Sequence, residues 1–486
     1  MKILFAASEM VPFCKTGGLA DVIGALPPVL ADMGHDVSVM LPGYAVIDRK
    51  GYGFKRKTRR IDIPVGGEIQ PLAVSSAQFR GITVYLLENG EYFGRKGLYG
   101  DAAGDYSDNG FRFVFFSRGV LEAAKRLRFR PDIVHTHDWQ TGLVNTYLAT
   151  SYANDPWFMG TATLFTIHNL GYQGIFPADV FSITGLPREE FHWTKLEYYG
   201  NLSLIKGGIV YADAVSTVSE TYAEEITGES MGFGLHDVLA ERSGDLYGIV
   251  NGIDENLWNP SKDRSIPAVY SAGDMEGKKI CRKALLDACG LQAGVHVPVL
   301  SMVSRLDVQK GLDILEDAIS KLMAMDIRMV ILGTGAEEHQ EKMRSLAARY
   351  SGSLHVTIGF DNDLAKLMYA GSDAFIMPSK YEPCGLGQLI AMKYGTLPIV
   401  HSTGGLADTV RDIDARPDDG NGFAIHEYSS DALVKTVRRA VTLYRKTGRR
   451  LWKKTVDRAM KGDFSWKKSA EKYSNLYKQI GNFNKK

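Results

Sequence analysis

Short runs of Val, Ile and Leu alternate along nearly the whole chain with stretches whose apolar residues recur every three or four positions. A strand buried on both faces reads as a continuous apolar run, and a helix laid on a sheet shows one apolar stripe. The alternation predicts an α/β fold of parallel sheets covered by helices on both faces. Strands are expected at 2–7, 37–41, 132–137, 163–168 and 214–218 in the first half. In the second half they are expected at 297–304, 329–332, 355–358, 374–377, 398–401 and 422–425.

The pattern breaks between 243 and 256, where Gly244, Gly248 and Gly252 precede a polar stretch at 259–264, and again near 462–465. Three segments follow: a first lobe over 1–243, a second over 244–464, and a tail over 465–486. Trp466, Ala470, Tyr473 and Leu476 stand at helical spacing, so 466–480 is expected to form one last helix that packs back on the first lobe. A length of 486 residues suits two such lobes, each with its own core.

Charge and cysteine content narrow the function by exclusion. With 57 Lys and Arg against 56 Asp and Glu, no global field recruits nucleic acid or a membrane surface, so any anion must be bound locally. Cys14, Cys281, Cys289 and Cys384 have no metal-ligand spacing, and Glu9 interrupts the opening apolar run before it reaches the length of a signal peptide. A reduced, cytoplasmic setting is expected. No apolar run approaches the roughly 20 residues needed to span a bilayer.

The hexapeptide Thr-Gly-Gly-Leu-Ala-Asp occurs twice, at 16–21 and 403–408, each time after a strand and before a helical pattern. Paired glycines admit a ligand close to the main chain, and the helix that follows offers free N–H groups to an anion; both copies also fit plain strand-to-helix turns. Ligands of open α/β sheets gather beyond the carboxyl ends of the strands. There the sequence places Glu9, Lys15, Asp138, His168, Asn169, Arg305 and Glu382.

Arg305 ends a strand and Lys310 opens the next helix, so two fixed cations converge, although each also fits a surface ion pair with Asp307 or Asp313. Cations placed so would stabilise a diphosphate that gains charge as it leaves a sugar. No Asp-x-Asp pair at a strand end holds a divalent ion, so neither metal nor cofactor is expected. In Tyr381-Glu382-Pro383-Cys384-Gly385-Leu386-Gly387 the proline fixes the backbone, the glycines admit a ligand, and Glu382 can meet sugar hydroxyls or developing positive charge. Cys384 also fits a small packing residue. The alternation of His135 and His137 suggests packing, with a metal cluster as the minor alternative.

Taken together, Lys15-Thr16-Gly17-Gly18-Leu19-Ala20-Asp21, His137-Asp138-Trp139-Gln140, Thr166-Ile167-His168-Asn169, Val250-Asn251-Gly252-Ile253-Asp254, Ser304-Arg305-Leu306, Gln309-Lys310-Gly311, Glu382-Pro383-Cys384-Gly385-Leu386 and Thr403-Gly404-Gly405-Leu406 closely resemble bacterial glycogen synthases and plant starch synthases. The resemblance implies two Rossmann-like doubly wound domains facing across a cleft, the glycosyltransferase B architecture. It implies transfer of glucose from ADP-glucose to the non-reducing 4-hydroxyl of an α-1,4-glucan with retention. By the same resemblance Arg305 and Lys310 contact the diphosphate, supported by the Thr403-Gly404-Gly405 backbone, and Phe360 stacks on adenine. Asn169, Asn251, Glu382 and the backbone of Cys384, Gly385 and Leu386 orient the glucose, and His168 lies beside its anomeric carbon. Lys15, Glu9, Gly17, Gly18, Asp21 and Asp138 complete the first-lobe wall, with Lys15 reaching the phosphates.

Retaining enzymes of this fold often carry a second Glu eight positions after the first. Here Ile390 stands there, so Glu382 acts alone and the resemblance implies a front-face mechanism in which the leaving phosphate takes the proton of the attacking hydroxyl. Two alternatives remain open from sequence: a UDP-glucose enzyme with a different acceptor, and a noncatalytic glucan-binding protein.

Overall fold

The strand Lys2–Ala6 lies at the middle of a nine-stranded sheet and is buried on both faces from Ile3 onward, as its unbroken apolar run requires. The computed structural model describes residues 1–101, 104–446 and 449–483, and divides into two units: Met1–Asn251 with Trp466–Lys486, and Gly252–Ser465. In the first unit, Lys2–Ala6 pairs in parallel with Asp36–Pro42 on one side and Ile133–His137 on the other. The sheet continues through Ala162–Ile167, Ala214–Thr217 and Leu246–Gly248 at one end, all parallel. Leu246–Gly248 pairs with Ala214–Thr217, and the first unit runs to Asn251, inside the break expected between 243 and 256 and past the lobe boundary set at 243.

At its other end the sheet carries three strands outside the expected set. Ile82–Glu88 pairs in parallel with Asp36–Pro42, and Glu68–Phe79 and Lys55–Val65 follow antiparallel. The outer strand opens with Lys55, Arg56, Lys57, Thr58, Arg59 and Arg60 on the surface, and only Ile63 and Val65 near its end are buried. An edge strand has one partner and much of its side-chain surface in water, so its composition hides it, and its positive charge discourages pairing with another sheet.

The second unit holds a six-stranded, all-parallel sheet in the order Leu354–Ile358, Arg328–Gly333, Val299–Val303, Ala374–Met377, Leu397–His401, Phe423–Ile425. The six strands expected from sequence are all present. In both sheets the chain winds outward from the first strand on one side, then returns to its other flank and winds the opposite way. This creates a switch point beside Lys2–Ala6 and another beside Val299–Val303, where loops at the carboxyl ends part and leave a crevice.

The last helix, Trp466–Phe483, belongs to the first unit. Trp466, Ala470, Tyr473, Leu476, Tyr477 and Ile480 all lie in that unit's core, at the spacing of one helix face. The Tyr477 hydroxyl also pairs with Nδ1 of buried His135 at 2.8 Å. Tyr477→Ala removes a fully buried ring and leaves that nitrogen dry, so it is expected to lower stability by roughly 3–5 kcal/mol. Lys472→Ala on the exposed face, where only a solvated pair with Glu220 is lost, should stay within about 0.5 kcal/mol in the same urea unfolding measurement.

Candidate active site

After Lys2–Ala6 the chain runs through Glu9 to the first glycine loop and the helix Gly18–Asp32. Both carboxylate oxygens of Glu9 are committed to this loop. One accepts hydrogen bonds from the backbone N–H of Thr16 and of Gly17, the latter at 3.0 Å; the other accepts from the Thr16 hydroxyl at 2.6 Å and the Tyr99 hydroxyl at 2.7 Å. Glu9 is therefore the group that folds the loop. Lys15 forms a two-point pair with Asp21 at 2.8 and 2.7 Å, and its side chain is 51% exposed. A pair so open to water costs at most about 1 kcal/mol to break, so Lys15 can be drawn to a ligand. Burial raises the Asp21 carboxyl above its usual range, with Lys15 opposing the shift.

The neighbouring strand, Ile133–His137, ends at Asp138, whose φ of 55° is rare for a residue with a side chain. That turn aims the Asp138 carboxylate at the end of the next strand, where Oδ1 accepts the His168 backbone N–H at 2.7 Å. Desolvation raises the Asp138 pKa to about 7, against the pull of the His168 and Asn169 N–H groups. Asp138 thus holds the His168-Asn169 turn. The His168 ring meets His137 Nδ1 through its Nε2 at 3.0 Å, and desolvation lowers its pKa to about 3, so it is neutral at physiological pH. Asn169 closes its own turn by accepting the Gly171 N–H. Asn251 is buried, with its Oδ1 lacking a hydrogen-bond partner among the described residues.

At the second unit's switch point, the loop after Val299–Val303 meets the loop after Ala374–Met377. The Lys380 N–H donates to the Gln309 carbonyl at 2.9 Å. This brings Lys310 Nζ to the Glu382 carboxylate at 2.9 and 2.6 Å, and Ser379 donates to the same carboxylate. Both partners are largely buried, with side-chain exposures of 18% and 8%. Arg305 is more open and pairs with Asp307 at 2.8 Å and Gln309 at 2.7 Å, the ion pair that its sequence position also allowed. Phe360 follows the strand Leu354–Ile358 and is 93% exposed, a whole aromatic ring left in water.

The two glycine loops differ physically, which corrects the expectation that both leave room for a ligand. A Cβ on Gly404 would lie 2.1 Å from the Glu382 carbonyl oxygen, and one on Gly405 would lie 2.2 Å from that of Cys384. The second pair makes room for the chain's own Glu382-Pro383-Cys384 backbone, which Gly405 also anchors by donating to the Glu382 carbonyl. At Gly17 and Gly18 nothing lies within 4 Å of such an atom. Gln388 completes the second loop by donating to the Cys384 and Gly385 carbonyls, and Leu386 leads into the helix Gly387–Lys393.

Several positioning groups escaped the sequence reading. Tyr99 reaches Glu9 from a distant segment and has no local signal. Ser379 and Gln388 flank the Glu382 motif at short range, so their spacing could have flagged them. Both nitrogens of His135 are engaged, by Tyr477 and by Thr166, and among the described residues no group of three or more His, Cys, Asp or Glu is placed to hold a metal ion. All four cysteines are buried and free.

Gly405→Ala should cost roughly 1–3 kcal/mol by overpacking the Cys384 carbonyl, whereas Gly17→Ala, in open space with extended backbone, should change stability by less than about 0.5 kcal/mol; chemical denaturation reads both. Asp138 gives a pH test. Its folded pKa of about 7 exceeds the unfolded value near 3.9, so the folded state binds more protons in that interval and stability falls as pH rises from about 4 to 7. Asp138→Asn removes this loss, and its stability relative to the parent chain should be more favourable at pH 8 than at pH 5 in paired urea titrations.

Residues 2–241 match the family model described as starch synthase catalytic domain, and residues 292–455 match glycosyl transferases group 1. The chain is 47% identical to a glycogen synthase of Geotalea daltonii and 46% identical to one of Syntrophotalea carbinolica, covering 99% of both chains in each comparison. The solved catalytic domain of starch synthase IV from Arabidopsis thaliana, bound to ADP and acarbose, superimposes with a TM-score of 0.92 at 32% identity and 99% coverage of both chains. Its two doubly wound sheets are those of the GT-B fold, and by sequence and structure alike the chain belongs to the glycogen synthase family.

Proposed function

We propose that this chain transfers glucose from ADP-glucose to the non-reducing 4-hydroxyl of an α-1,4-glucan, with retention at the anomeric carbon. The observation that carries the reading is the Lys310–Glu382 pair at the switch point of the second unit, with Arg305 on the same loop. Likeness to glycogen synthases over the full chain supports the reaction class, and the ADP bound to the starch synthase relative favours adenine over uracil. The bare Phe360 ring is suited to stacking on a flat base.

In this reading the bond from the anomeric carbon to the diphosphate oxygen breaks, and both bonding electrons leave with the diphosphate. Lys310 and Arg305 balance the charge that develops, an effect larger in the transition state than in the ground state. The glucan hydroxyl attacks from the face that the diphosphate vacates, and its proton passes to a leaving phosphate oxygen. Glu382 holds the Lys310 ammonium in place before substrate arrives, so little reorganisation remains at the moment of reaction. No step calls for a metal or a cofactor. Asp138 orients His168 and Asn169 against the glucose, and Glu9 holds the Thr16-Gly17 loop beside Lys15.

A competition between ADP-glucose and UDP-glucose on a maltooligosaccharide primer tests the reading. Incorporation from ADP-glucose is expected, and incorporation from UDP-glucose alone would overturn the donor assignment. Arg305→Ala is the cleaner variant, because Lys310→Ala strands a buried carboxylate. It should lower kcat by about 10²–10³-fold with little change in primer KM.

A further inference from the structure

Two neutral imidazoles meet at the end of the Ile133–His137 strand, and each has one proton to place. His137 Nδ1 and His168 Nε2 are 3.0 Å apart, so one nitrogen carries the shared proton and the other accepts it. Burial lowers the pKa of both rings, which removes the doubly protonated form. Two arrangements remain. Either His137 donates from Nδ1 and His168 carries its own proton on Nδ1, or His168 donates from Nε2 and His137 carries its proton on Nε2.

The surroundings of His137 decide between them. Its Nε2 is fully buried and has no hydrogen-bond partner among the described residues. The ring is walled by Phe5, stacked at 5.6 Å and 10°, and by His135 at 4.1 Å. The polar groups nearby are already engaged, since His135 pairs with Thr166 and Tyr477, and Thr166 also pairs with Ser216. The second arrangement would bury an N–H with no acceptor, which folded proteins almost never do, whereas a lone pair facing aromatic walls is the milder defect. His137 is also fixed at its main chain. Its backbone N–H donates to the Thr141 hydroxyl at 2.6 Å, and that hydroxyl donates back to the His137 carbonyl at 2.8 Å.

We propose that His137 is a positioning residue that fixes His168 as the Nδ1–H tautomer, so that His168 meets the substrate as a hydrogen-bond donor and not as a base. The inference rests on the reading above only in placing His168 beside the glucose of the donor. Its Nδ1–H then points at an oxygen of the sugar nucleotide and has no lone pair with which to take the proton of the attacking hydroxyl. That removes His168 as a base and agrees with the route assigned above, in which the proton leaves with the diphosphate. His137 itself touches no substrate.

The tautomer is read directly on the full-length chain, labelled with 15N-histidine, by long-range 1H–15N correlation at neutral pH. The His168 signals are identified by their loss in His168→Gln. The expected pattern is a protonated Nδ1 with an unprotonated Nε2; a protonated Nε2 at His168 would overturn the proposal. Two variants then separate a role in proton placement from one in packing. His137→Phe fills the aromatic slot but removes the donor, so His168 should shift toward the Nε2–H form and kcat should fall about tenfold, the scale of one hydrogen bond, with primer KM little changed. His137→Asn packs less well but sets an amide N–H near the lost Nδ1–H, and should recover both the tautomer and most of kcat. The reverse ranking, Phe active and Asn inactive, contradicts the proposal. An Nδ1–H signal in a chain that transfers glucose from no sugar nucleotide would defeat the functional reading while leaving the tautomer assignment intact.

Discussion

A parallel sheet wound in two directions from one internal strand cannot cover both carboxyl ends at the point where the winding reverses, and this constraint governs the rest of the molecule. In the first unit the reversal lies beside Lys2–Ala6, and the loops on either side of it carry Glu9 to Gly18 and Asp138. In the second it lies beside Val299–Val303, with Arg305 to Lys310 on one side and Ser379 to Glu382 on the other. The polar side chains are brought together there because the strands bearing them are neighbours at a switch point, although they are far apart along the chain.

Two of these loops are held by carboxylates largely shielded from water, Glu382 and Asp138, and the two meet the cost of desolvation differently. Glu382 is met by the Lys310 Nζ and the Ser379 hydroxyl, which replace the water it loses. Among the described residues Asp138 has no cation beside it, only backbone N–H donors, and desolvation carries its pKa to about 7. The first arrangement sets a basic side chain directly against the carboxylate. The second serves geometry, turning the His168-Asn169 segment at the expense of an unusual backbone angle.

The repeated Thr-Gly-Gly-Leu-Ala-Asp segment warns against reading one meaning from one motif. Packing demands glycine only in the second copy, where the chain's own carbonyls lie above Gly404 and Gly405; above Gly17 and Gly18 the described residues leave open space. A missing Cβ is visible in a sequence. What occupies its place depends on a segment some twenty residues away, Glu382 to Cys384, that the motif does not contain.

The sequence by itself determined the fold class, most of the parallel strands, the final helix, and the loops on which the polar groups stand. Those features rest on local periodicity and on the position of Gly, Pro and charged residues relative to strand ends, and all of these are written in consecutive residues. The basic edge strand Lys55–Val65 stayed hidden because it is half solvated and obeys no strong apolar alternation. Only the tertiary structure decided that Glu9 holds a loop with the help of Tyr99, that Lys310 is matched to Glu382, and that the ambiguous His137 sits against His168. Such pairings join residues tens of positions apart, and their partners are set by strand order and register, which no local pattern encodes.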